Sequence, residues 1–195
     1  MPIEYSYDEL ESFAGKIYKK MILASETGNY SDAFEDVFTE DAIYERSQGP
    51  MLPDAIAYGK EEILQIALGS DLGDLAGWRY LWRDFWIDEM AGVVVILWEM
   101  ISPWKDCESG QYFQRDGVGY TIHFYAGNMK SKRQIDICET QQLQYVQEEG
   151  IAAGLASDFL IRDYKMKKKK QNIARDSWEL HLEDLRKVTQ KKVLR

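Results

Sequence analysis

Histidine and cysteine are scarce in this chain, with two of each among 195 residues. Cys107 and Cys138 lie far apart and form no CxxC pair, so neither a disulfide framework nor a structural zinc is expected, and free thiols suit a reducing compartment. Two histidines, His123 and His181, are too few for a buried transition-metal site, so no metal is expected. The sequence also lacks a GxGxxG leading into a helix, a P-loop, an HExxH and a GxSxG. No cofactor is implied, and acid–base chemistry on a small organic molecule needs none. No apolar run approaches membrane-spanning length, and the acidic opening MPIEYSYDELESF has no signal-peptide pattern. A soluble, cytoplasmic protein with no membrane partner is the expectation.

Aromatic residues, by contrast, are plentiful. They make up 13% of the chain, with 6 Trp and 12 Tyr, and hydrophobic residues in all make up 45%. That is enough for one real core and for the wall of a pocket. The charge is uneven. Residues 1–146 carry 12 Lys/Arg against 25 Asp/Glu, a net of −13, whereas 147–195 carry 12 against 8, a net of +4. An acidic body repels a phosphate backbone, so no nucleic-acid partner is expected. The two parts read as a main domain, 1–146, and a helical, basic extension, 147–195. In the extension KMKKKK reads as a solvated linker or helix face, and Trp178, Leu182, Leu185 and Val188 form a helical stripe.

Periodicity assigns the elements. Ser6 or Asp8 can cap a helix reaching Thr27, with Leu10, Phe13, Ile17, Met21 and Ala24 on one face and Gly28-Asn29 as its stop. Ser31 and Asp32 start a short helix that buries Phe34, Val37 and Phe38. Residues 42–46 form a strand, SQGPMLPDAIAYG a loop, and 60–68 a third helix. The period then becomes two. Strands are predicted at 78–88 and 92–102, joined at Glu89-Met90-Ala91, and at 111–125 and 132–146 around AGNMKSK, followed by a helix from 151 to 163. Helices followed by a four-strand meander indicate an α+β layout with helices on one face of a mostly antiparallel sheet.

Three stretches carry a resemblance. GKIYKKMILASETGNYSDAFEDVFTEDAIYER, YGKEEILQIA and YFQRDGVGYTIHFYAGNMKSKRQIDICETQQL, in that order, resemble the SnoaL-like branch of the nuclear transport factor two-like superfamily over residues 8 to about 146. The resemblance implies a curved sheet wrapped by helices into a cone with a pocket at its mouth. It implies no single chemistry, because this fold houses isomerases, cyclases, dehydratases and plain binding proteins. By position it makes Asp136 the acidic residue of the last strand, Tyr44 a pocket tyrosine and Glu26 an acid near the end of the first helix. Related dehydratases carry a histidine near the start of the first long strand; GWRYLWRDFW has none, which argues against their usual His–Asp dyad.

Strand parity adds candidates. A hairpin turning around Asn128 to Lys132 sets His123 opposite Asp136 and Thr121 opposite Cys138, joining apolar to apolar on the other face. An ionised Asp136 would then raise the pKa of His123, leaving the ring to move a proton; the alternative is a structural His–Asp pair on the convex face. Gly117 and Gly119 would leave room for a ligand. On the first long strand Trp82, Asp84 and Trp86 share one face. If that row lines the cone, Asp84 is a desolvated acid or base; if the Arg79 and Arg83 row does, Asp84 is outside. Glu99, on the neighbouring strand, has the same ambiguity. The expected catalytic set is therefore His123, Asp136, Tyr44 and Asp84, with Trp82, Trp86, Trp98, Glu26, Thr121 and Cys138 around a small apolar or aromatic ligand. The expected function is a cofactor-independent isomerase, cyclase or lyase-type enzyme. The alternative is a non-catalytic module that binds a small molecule or a protein. A homodimer through the open sheet face is also expected.

Overall fold

The computed structural model describes residues 5–47, 55–68, 77–105, 107–113, 118–156, 158 and 161. The predicted tail stripe, KMKKKK, His181 and Gly117 lie outside the described residues.

Helix α1, Tyr7–Thr27, begins where Ser6 accepts a hydrogen bond from the Glu9 N–H, with Asp8 and Glu9 in the first turn. It stops at Gly28, whose left-handed φ of 70° lets its N–H return to the Ala24 carbonyl. Its buried face contains the predicted Leu10, Phe13, Ile17, Met21 and Ala24. Helix α2, Tyr30–Ala33, is a single turn capped by Asn29. Phe34, Val37 and Phe38 are buried as expected, but Phe38 already belongs to strand β1, Phe38–Ser47. The Ser131 N–H bonds the Val37 carbonyl at 2.7 Å, drawing the chain into the sheet before Ala42.

The segment read as a loop contains a short edge strand, β2 (Ala55–Tyr58), antiparallel to β1. Helix α3, Lys60–Glu62, runs into a π-helical turn, Ile63–Ala67, that buries Ile63. Strands β3 (Arg79–Asp88) and β4 (Val93–Ile101) form the first long hairpin, and β5 (Val118–Tyr125) and β6 (Ser131–Cys138) the second. The sheet order is β2-β1-β6-β5-β4-β3, with β1 and β6 parallel and the other neighbours antiparallel. The layout is α+β, as the pattern indicated, with six strands in the sheet, the five predicted and the edge strand β2.

One boundary moves further. The strand predicted to reach Val146 ends at Cys138, and helix α4, Thr140–Ala152, takes over, so residue 146 lies inside a helix. Gly150 lets α4 sit against the Trp104 indole, where a Cβ would fall 2.4 Å from a ring carbon. Val146 joins Trp78 in a small satellite core there. No described helix is long and apolar enough to cross a membrane.

The main core lies between α1 and the inner sheet face. Strand parity places Val94, Ile96 and Trp98 of β4, and Gly119, Thr121, His123 and Tyr125 of β5, on that face. Phe13, fully buried, contributes about 1.5–3 kcal/mol by removal from water alone.

Candidate functional site

The β5–β6 register decides which candidates meet. Thr121 pairs with Asp136 and His123 with Gln134, two residues away from the expected pairing. The turn is tighter than expected: the Lys130 N–H returns to the Gly127 carbonyl, and Asn128 and Met129 both take left-handed φ values of 52° and 58°. A shift of two keeps every side chain on its predicted face but separates His123 from Asp136.

His123 consequently sits in the closed end of the molecule. It is 1% exposed, edge-on to Phe13, with Nδ1 3.3 Å from the Ser131 hydroxyl. Burial lowers its pKa to about 3, the reverse of the rise expected from a carboxylate neighbour. The imidazole is a neutral core group at physiological pH, and a His123–Asp136 dyad does not form.

Asp136 has different company. Tyr44 donates its phenol proton to Oδ2 at 2.8 Å, and Thr121 Oγ1 and Gln134 Nε2 donate to Oδ1 at 2.7 and 3.0 Å. Thr121 in turn accepts from the Trp98 indole N–H at 2.8 Å, so indole, hydroxyl and carboxylate form one directed chain. The residue is half-buried, but its carboxylate lies within this cradle. Burial pushes its pKa above the usual carboxylate value, and the three hydrogen bonds and the charge of Arg46 only partly offset that rise. A carboxyl so placed can hold a proton nearer neutral pH than a solvated one.

Local geometry explains the cradle. Gly119 is the β5 partner of Trp98, and a Cβ there would fall 2.1 Å from the indole ring. The missing side chain makes room for Trp98, not for a ligand, and the indole lying across Gly119 brings its N–H to Thr121. Tyr44 is 2% exposed and reaches Asp136 across the parallel β1–β6 pair.

Arg46 escaped the sequence reading except as the end of a strand. Two residues beyond Tyr44, it shares the inner face, and it is the register partner of Asp136. Its Nε is buried with no hydrogen-bond partner, and so is Gln134 Oε1. Desolvation alone would lower the pKa of Arg46, but Tyr44, Tyr80, Asp136 and Cys138 around it raise it overall. Cys138 is partly buried, and burial raises its thiol pKa. Tyr80 packs edge-on against both Tyr30 and Trp98.

The remaining candidates divide at a β-bulge in β3. Tyr80 pairs with Met100 and Trp82 with Trp98, but past Arg83 the register shifts and Phe85 and Ile87 face inward. Trp82 therefore packs on the core beside Tyr18 and Phe85. Asp84 and Trp86 turn to the outer face. The Asp84 carboxylate is exposed and bonds the Phe85 N–H, and Trp86 is 48% exposed against Tyr120. Neither of the two readings of that row, wholly inward or wholly outward, describes it, and Asp84 is not a desolvated acid. Glu99 is paired with Arg83. Glu26 is exposed on the last turn of α1. Of the expected set, the structure brings together Asp136, Tyr44, Thr121 and Trp98, with Cys138 beside them; His123, Asp84, Trp86 and Glu26 lie elsewhere.

No protein-family model and no curated protein matches the sequence. Solved structures do match. PrhC from Penicillium brasilianum aligns over 77% of this chain and 94% of its own, with a TM-score of 0.55 and 12% identity. A candidate isomerase from Bacillus subtilis aligns over 76% and 99%, with a TM-score of 0.53 and 13% identity. A candidate SnoaL-like polyketide cyclase from a Jannaschia species aligns over 75% and 94%, with a TM-score of 0.49 and 10% identity. At such identities the likeness is one of fold. The chain has the nuclear transport factor two-like fold that its sequence resembles.

Proposed function

We propose that this protein is a cofactor-independent acid–base enzyme that moves a proton on a small apolar organic molecule, as isomerases, cyclases and eliminating lyases do. The observation that carries the reading is the Asp136 carboxyl, held by Tyr44, Thr121 and Gln134 with its pKa raised by burial. Asp136 would take a proton from carbon and return it at a second position. Once Asp136 has taken up the proton, the Tyr44 phenol would turn its single O–H from Oδ2 to an oxygen on which negative charge develops, and Trp98 would act through Thr121 to fix the plane of the carboxyl. Tyr80, Trp82 and Cys138 supply partly buried apolar surface for the ligand.

Proton abstraction from carbon has a readout that needs no natural substrate. In D2O, a panel of aryl ketones and β-keto esters should gain deuterium next to the carbonyl faster with the protein than without it. Asp136→Asn should lower that acceleration by roughly 100- to 10,000-fold. Ketones that bind without exchange would favour the binding-module reading, and accelerated exchange that Asp136→Asn leaves intact would remove Asp136 as the base. We further propose that the outer face, where Trp86, Tyr120 and Ile137 are exposed, pairs with a second copy.

A further inference from the structure

We propose that Arg46 is the anion-recognising residue of this site, and that the ligand is an apolar or aromatic acid whose carboxylate it binds beside Asp136. The inference rests on the reading of the Asp136 cradle as the ligand site, and it adds the substrate class.

A guanidinium among buried groups normally meets an anion through two parallel N–H bonds. Among the described residues no carboxylate meets Arg46 in this way. Its Nε is enclosed without a hydrogen-bond partner. The carboxylate whose charge bears on it, that of its register partner Asp136, already accepts from Tyr44 on one oxygen and from Thr121 and Gln134 on the other. The other groups whose charge bears on Arg46 are the Tyr44 and Tyr80 phenols and the Cys138 thiol, none of which offers the two oxygens of a carboxylate. Among the described residues the site therefore holds a cation whose Nε is an unused donor, with aromatic rings beside it. A carboxylate is planar and offers two acceptor oxygens that match the guanidinium fork. The rings of Tyr80 and Trp98, packed edge-on 5.2 Å apart, give an apolar body something to lie against. Outside the site the body of the chain is acidic, so anion selectivity requires a local cation, and Arg46 is placed to supply it.

The test compares 2-naphthoate with its neutral analogue 2-naphthamide by titration calorimetry. Wild-type protein should bind the acid at least about tenfold more tightly than the amide. Arg46→Gln should weaken acid binding by roughly 30-fold or more while leaving amide binding within a few-fold. Arg46→Lys keeps the charge without the fork and should fall between the two. Equal affinities in the wild type, no binding of either probe, or a preference for the acid that survives Arg46→Gln would each overturn the proposal. The wild-type comparison does not depend on any variant folding. The exchange assay separates the two readings: a naphthoate preference in a wild-type protein that accelerates no deuterium exchange would sink the enzyme and keep the anion site. Exchange lost in Asp136→Asn without any acid preference in the wild type would do the opposite.

Discussion

The two ends of the inner sheet face are built from the same strands yet treat their titratable groups differently. At the closed end, His123 of β5 lies among Phe13, Tyr125 and Ser131, all buried, and its imidazole is held neutral. At the other end, Asp136 of β6 lies where Tyr80, Trp82, Met100 and Cys138 are only partly buried, and it is served by three donors. Burial pushes both groups toward their neutral forms. The difference lies in what surrounds them. Around His123 the contacts are mostly those of a core. Around Asp136 the Nε of Arg46 and the Oε1 of Gln134 are buried with no partner. Unspent polar capacity at one end and apolar packing at the other distinguish a site from a core, although each holds a residue type common in catalysis.

Several changes would break or sharpen that contrast. Asp136→Asn has the largest expected effect on chemistry, the roughly 100- to 10,000-fold loss of deuterium exchange given above. Its effect on stability should have the opposite sign. A carboxyl whose folded pKa exceeds its unfolded value contributes stability below the unfolded pKa that is lost as pH rises through the folded one. The Asn variant should therefore melt higher than wild type near pH 7 and lose this advantage toward pH 3, as thermal melts across pH would show. At the closed end, Phe13→Ala should cost about 3–5 kcal/mol in urea unfolding, through a cavity beside His123 and Tyr125.

His123 gives a pH signature of its own. Its folded pKa of about 3 lies below the unfolded value of 6.5, so its contribution is whole above that value. It is lost progressively as pH falls from 6.5 toward 3, where the unfolded chain binds a proton that the native ring refuses. His123→Gln should flatten the acid limb of the stability profile while leaving deuterium exchange within a few-fold. Gly119→Ala would drive a methyl group into the Trp98 indole and should cost about 1–3 kcal/mol. It should also slow exchange, because the indole orients Thr121 and through it Asp136. The smallest effect on folding, within about 0.5 kcal/mol, belongs to Trp86→Lys on the outer face. There light scattering should show pairs of wild-type copies giving way to monomers.

The same contrast shows how much the sequence made legible. The stripe on α1, its Ser6 and Gly28 ends, and the inner and outer faces of β5 and β6 were all readable, because each follows from local period and capping chemistry. The partner of His123 was not. Side chains alternate with a period of two, so a register slip of two residues leaves the hydrophobic pattern unchanged. Only the left-handed pair Asn128-Met129 distinguishes the two hairpins. Asp84 and Trp86 were ambiguous for a related reason: β3 is apolar on both faces, so a bulge at Arg83 leaves no mark in the pattern. The parallel β1–β6 contact joins segments far apart in the chain, and it is this contact that sets Arg46 beside Asp136. A two-residue step from Tyr44 would have put Arg46 on the pocket face; its unsatisfied Nε needed the structure.

The most direct measurement is a carbon-13 NMR titration of the Asp136 side-chain carboxyl in wild type and Tyr44→Phe, assigned by its absence in Asp136→Asn. The carboxyl is expected to titrate above the ordinary value of 3.8, and to move higher still when the Tyr44 hydroxyl is removed, because that bond favours the ionised form. An Asp136 that titrates at or below 3.8, or that does not respond to the loss of Tyr44, would contradict a desolvated, hydrogen-bonded acid at this end of the sheet.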